Sequence, residues 1–78
     1  MNTLHIGNDT SIIAGRIIGI TTMELQPIKR AVKEHKENGK LVDASSVQKA
    51  RTAIYTDEGQ IFLSIYSPDT IEKRINEI

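Results

Sequence analysis

Few side chains in this 78-residue sequence are of types that carry chemistry, and their spacing limits what each can do. There is no cysteine, which removes disulfides and thiolate zinc sites together. The two histidines, His5 and His35, have no second ligand at metal-binding spacing. A satisfied, partly buried imidazole is the expected role of each. Asp57-Glu58 is an acidic pair, but Gly59 follows it between two alternating apolar runs. That context predicts a solvated hairpin tip rather than an acid–base dyad. No glycine-rich phosphate loop is present, and no serine or threonine has a base nearby in sequence. The expectation is a protein that is not an enzyme and takes no cofactor, metal or small-molecule substrate.

The cations are better placed to act. The formal net charge is zero, yet residues 1–56 carry a basic excess and residues 57–78 an acidic one. The basic excess peaks between Lys29 and Arg51. At 100° per residue, Lys29, Lys33 and Lys36 stack in one stripe along a helix. The plain reading of that stripe is a solvated edge whose aliphatic stems cover the core margin. With one phenylalanine and two tyrosines the chain has no extended platform for stacking bases. If it binds nucleic acid, phosphate contacts on a duplex are the mode open to it.

These side chains must be positioned by short elements. Thirteen isoleucines against four leucines and three valines favour sheet. Thr3–Ile6 reads as a strand ending in the turn Gly7-Asn8-Asp9. Ser11–Ala14 and Arg16–Ile20 read as strand runs joined through Gly15, where a bulge, a bend or a close backbone approach is expected. Pro27 suits the first position of a helix reaching Asn38, with Ile28, Ala31, Val32 and His35 on its inner face. Arg30 and Glu34 are spaced to pair on its far side. Gly39 ends that helix. Leu41–Ala44 reads as a strand, Ser45–Ala50 as a loop, and Thr52–Thr56 with Gln60–Ile65 as a hairpin. Ser67-Pro68-Asp69 opens a last helix whose apolar stripe is Ile71, Ile75 and Ile78. The sum is one α+β domain over residues 1–78, a largely antiparallel sheet with two helices. Met1-Asn2-Thr3 has no positive side chain, and the longest apolar stretch is interrupted by Arg16. A soluble cytoplasmic protein without membrane partners is expected.

In its ordered blocks the sequence resembles the RemA family of bacterial extracellular-matrix regulators. The blocks are Arg16-Ile17-Ile18-Gly19-Ile20, Pro27-Ile28-Lys29-Arg30, Gly39-Lys40-Leu41-Val42-Asp43-Ala44, Ile61-Phe62-Leu63-Ser64 and Pro68-Asp69-Thr70-Ile71. Each is unspecific alone; their order and spacing from about residue 4 to 74 carry the likeness. The resemblance implies a LytTR-like fold, a homo-oligomeric ring (an octamer in the best-known form), and transcription regulation by wrapping double-stranded DNA on a basic face. It implies a DNA-binding role for Arg16, Lys49 and Arg51, with Lys29 and Arg30 as more distant candidates, and a structural role for Pro27. Two departures stand out. Val47-Gln48-Lys49-Ala50-Arg51 replaces a family Gly-Arg-Arg-Thr-Arg stretch, and Asp9-Thr10 stands where the family has a Gly-Asn turn. Lysine offers phosphate a point charge where arginine offers a planar fork. The alternative is therefore an oligomeric protein-interaction module that kept the scaffold and lost DNA binding.

Assembly is expected on physical grounds as well. The core of a chain this short supplies only about 3–5 kcal/mol. Ile12-Ile13 and Ile17-Ile18 are adjacent pairs, so on a strand one member of each must point away from the core. Light scattering on a sizing column should report a discrete multimer whose mass is unchanged at about 0.5 M salt, because an apolar contact is not screened. A folded monomer that survives dilution would contradict it.

Overall fold

A computed structural model of the chain describes residues 2–45 and 48–77. Val47, one of the family departures, and Ile78, the end of the expected apolar stripe, lie outside the described residues. Strands β1 (Thr3–Gly7) and β2 (Thr10–Ile13) pair antiparallel as a hairpin. Its turn places Asn8 at φ 43° and Asp9 at φ 56°. Asn and Asp tolerate this left-handed region best among residues with a side chain. The tight turn therefore forms without glycine at either central position.

A single turn of 3-10 helix, Ala14–Arg16, follows before strand β3 (Ile17–Thr22) begins. The sequence pattern predicts strand from Arg16 onward; instead Arg16 ends this turn. Gly15 makes the bend but no close approach, since a Cβ there would meet nothing within 4 Å. The turn parts the expected single sheet into two, because β1-β2 form their own sheet and β3 opens another. Helix α1 (Gln26–Glu37) starts one residue before Pro27, which still lies in the first turn, where its missing N–H costs nothing. Asn38 caps the far end, and Gly39 follows at φ 71°. Strands β4 (Leu41–Asp43), β5 (Thr52–Thr56) and β6 (Ile61–Ser64) lead to helix α2 (Pro68–Asn76). The Ser67 side chain accepts from the Thr70 amide, the N-cap its position predicts.

The second sheet has the order β3-β5-β6-β4. The β3–β5 and β5–β6 pairs are antiparallel, whereas β4 runs parallel to β6. Helix α1 carries the chain from one edge of the sheet to the other, so that β4 arrives in the same direction as β6. Each face has its own apolar cluster. On one, Ala53, Ile61 and Leu63 pack against Ile28, Ala31 and Val32 of α1. On the other, Ile54 packs with Leu4, Ile6, Ile12 and Ile71 from the hairpin and α2. The result is α+β in three layers, with β5 between them. No helix among the described residues is long and apolar enough to cross a membrane.

The paired isoleucines divide as the strand period requires. Ile12 is buried and Ile13 is 38% exposed, while Ile17 is half-buried and Ile18 is 70% exposed. Ile18 is also the extra residue of a bulge, since Ile17 pairs with Thr56 and Gly19 with Tyr55. Hydroxyls stitch the layers where apolar contact ends. Buried Ser64 donates through Oγ to the Ile6 carbonyl at 2.7 Å and accepts from the Tyr66 amide at 3.1 Å. Thr52 Oγ1 donates to the Tyr66 carbonyl at 2.6 Å.

At Gly7 two constraints coincide. Its φ is 125°, and a Cβ there would stand 2.9 Å from the Ala44 carbonyl oxygen. Gly7→Ala should lower stability by about 2 kcal/mol, because it adds a strained backbone and a clash that main chain cannot relieve. Urea denaturation followed by circular dichroism measures it.

Candidate nucleic-acid interface

Three of the five candidate cations converge. Lys29, Lys49 and Arg51 line one recess of about 410 Å³ together with Thr22, Met23, Glu24, Ala50 and Pro68. They come from three segments: the first turns of α1, the loop before β5, and the residue that leads into β5. Sheet pairing explains the meeting. The Arg51 amide donates to the Ser64 carbonyl at 2.8 Å, and its own carbonyl accepts from the Met23 amide at 3.2 Å. Its main chain is therefore clamped on both sides while its side chain stays exposed. Two-residue alternation puts Arg51 on the same side of β5 as Ala53, the face that α1 covers.

The recess favours anions. Three cations face one carboxylate, Glu24. Helix α1 has no acidic residue in its first turn and no side-chain cap at Leu25, so Glu24 is the one carboxylate of the recess set against the positive end of its dipole. Sequence reasoning missed Glu24, whose place in the recess follows only from the turn between β3 and α1. Arg30 is exposed on the same helix and does not line the recess. The expected Arg30–Glu34 pair does not form; among the described residues the ion pairs both belong to Arg16.

Arg16 stands apart. It precedes Ile17, which pairs with Thr56, whereas Arg51 precedes Thr52, which pairs with Thr22. Arg16 bonds to Asp57 and Arg51 to Met23 across the strands, so at roughly 3.3 Å per residue the two arginines lie about 20 Å apart along the ladder, equivalent to about six base-pair rises. The Arg16 guanidinium reaches Glu58 Oε1 at 3.1 Å and Asp57 Oδ1 at 3.6 Å. Asp57-Glu58 is the exposed hairpin tip expected from the sequence, but it is bound to Arg16 rather than simply solvated. A contact across that separation in sequence leaves no local signal.

The histidines are placed unequally. His35 is half-buried and donates from Nδ1 to the Ala31 carbonyl at 2.8 Å, the satisfied role expected of it. His5 is exposed instead, its ring tilted 56° to Tyr66 at 6.2 Å. Arg74 closes that corner by lying 4.0 Å above the Tyr66 ring and donating to the His5 carbonyl at 3.1 Å. No group of three or more metal-binding side chains gathers among the described residues.

The chain is a small α+β domain with a basic hollow at one end of its sheet. The chain belongs to the RemA-like family, described as extracellular matrix regulatory protein A-like, whose pattern it matches over residues 3–75. A protein of Synechococcus sp. (strain JA-3-3Ab) is 39% identical over 71 residues, spanning 91% of this chain and 80% of that protein. Proteins of Bacillus cytotoxicus and Bacillus mycoides are each 42% identical over 76 residues, spanning 97% of this chain and 87% of theirs. All three are named as candidate regulatory proteins.

The candidate cations contribute little to the fold. Arg51→Ala should leave stability within about 0.5 kcal/mol, since both main-chain bonds remain. Arg16→Ala should cost less than about 1 kcal/mol, the ordinary worth of exposed ion pairs. Thermal denaturation of the two variants tests both values.

Proposed function

We propose that this protein is a transcriptional regulator that assembles into a homo-oligomeric ring, an octamer by family likeness, and wraps double-stranded DNA in the cytoplasm. The convergence of Lys29, Lys49 and Arg51 in one recess carries this reading. Arg51 and Lys49 hold phosphate, Lys29 adds charge from α1, Arg30 is an outlying contact, and Arg16 can add another only when its carboxylate partners release it. Pro27 shapes the start of the helix that brings Lys29 in. Phosphate contacts position a duplex without reading bases, so sequence preference comes mainly from the bending and shape of the DNA. A ring multiplies a few contacts per subunit by the subunit count, which compensates for the missing arginine in the loop. Ile13, Ile18 and Leu25, exposed by 38%, 70% and 54%, are the apolar residues a subunit contact would cover. Closure of the ring also covers the edge strands without open-ended growth.

One observation favours a second reading, a protein-interaction module without DNA binding: Arg16 is already engaged by two carboxylates. Mobility-shift titration of bent and straight duplexes between about 50 and 200 mM salt separates the two readings. DNA binding predicts affinity that falls steeply with salt; an absence of any shift at low salt favours the module. Arg51→Ala should weaken binding to all duplexes about equally and lower the salt slope by about 0.9 for each phosphate no longer neutralised. A change of preferred sequence with unchanged slope would contradict a phosphate-holding role.

A further inference from the structure

The two ends of the β3–β5 ladder carry opposite local charge. At the recess end three cations face one carboxylate. At the other end one cation, Arg16, faces two carboxylates, Asp57 and Glu58. These acids are held in place. The Asp57 amide donates to the Arg16 carbonyl at 2.9 Å, so main chain and side chain join the same two residues. Gly59 turns the hairpin at φ 81°, and its amide donates to the Thr56 carbonyl at 3.2 Å. The Thr56 amide and hydroxyl both donate to the Gln60 carbonyl, at 3.1 and 3.2 Å. The carboxylates are thus presented to Arg16 by a built turn. Their side chains are nonetheless 44% and 61% exposed, and that of Arg16 is 52% exposed, so a polyanion can reach all three.

Carboxylate and phosphate offer a guanidinium the same kind of partner, paired anionic oxygens that accept from its fork. A duplex that takes Arg16 must first displace Glu58 and Asp57, and then set its phosphate beside two like charges. We infer that Asp57 and Glu58 are affinity-determining residues, an internal phosphate mimic that occupies Arg16 and withholds it from DNA. The inference rests on the DNA-binding reading. Under it, wild-type protein holds the duplex through the recess end, and the Arg16 end engages only when the acidic turn is neutralised or moved aside.

Fluorescence anisotropy with one labelled duplex tests this on four full-length proteins: wild type, Asp57→Asn/Glu58→Gln, Glu72→Gln/Glu77→Gln, and Arg16→Ala added to the first pair. The second pair makes the same change in net charge on and beside α2, at acids that form no ion pair with Arg16. Circular dichroism and light scattering establish that all four share fold and assembly; the main-chain bond from Asp57 to Arg16 survives each substitution. The expected result is that Asp57→Asn/Glu58→Gln binds at least about fivefold tighter at low salt, the scale of an exposed ion pair released. Its salt slope should steepen by about 0.9 for each Arg16 that takes up a phosphate. Glu72→Gln/Glu77→Gln should change affinity much less, and adding Arg16→Ala should abolish the gain. The inference is overturned if the two neutralised pairs gain equally, if the gain persists without Arg16, or if salt-dependent wild-type binding is untouched by Asp57→Asn/Glu58→Gln. That last result would leave the DNA-binding reading standing, whereas no binding by any of the four removes both.

Discussion

Strand β5 has to be covered on both faces, and the rest of the molecule is arranged to cover it. Ala53 and Ile54 are fully buried and point in opposite directions. Because β5 carries apolar side chains on both faces, each face needs its own apolar layer. Helix α1 supplies one layer through half-buried side chains, and the β1–β2 hairpin with α2 supplies the other. The 3-10 turn at Ala14–Arg16 lets the hairpin leave the plane of the larger sheet and lie over it. The fixed place of Arg51, at the mouth of β5, follows from the same constraint.

The chain's neutral total describes neither end of the ladder. The basic excess between Lys29 and Arg51 is realised partly as the recess and partly as the solvated lysine edge of α1. The acidic excess of the last third begins at the hairpin tip, where it meets the one candidate cation that precedes the basic segment. Charge along the sequence becomes charge across the sheet because β3 and β5 run antiparallel. Residues that begin one strand stand beside residues that end the other.

What was legible in the sequence was local. Ser67-Pro68 states its helix start in adjacent letters, and Asp57-Glu58-Gly59 states its turn. The Ile-Ile pairs declare an outward member by period alone, and Ile18 fulfils it. Contacts between distant segments left no such mark. The parallel alignment of β4 on β6 depends on where α1 lands, and neither short strand encodes its direction. The Arg16 partners are brought up by the far strand of a pairing, and Glu24 enters the recess from a turn whose residues have no helical or strand period. Residue types found the cations; only the ladder showed which of them share a surface.

The parallel β4–β6 pair also has a consequence for folding. The β1–β2 and β5–β6 hairpins close over short loops, a process of microseconds. Strand β4 has no partner in sequence next to it, and must wait until both β6 and the crossover helix are in place. Until then Leu41 and the α1 side of Ile61 and Leu63 lack their cover. The β3–β5 pairing closes a longer loop still, so both edges that border α1 depend on contacts distant in sequence, whereas each hairpin closes on its own.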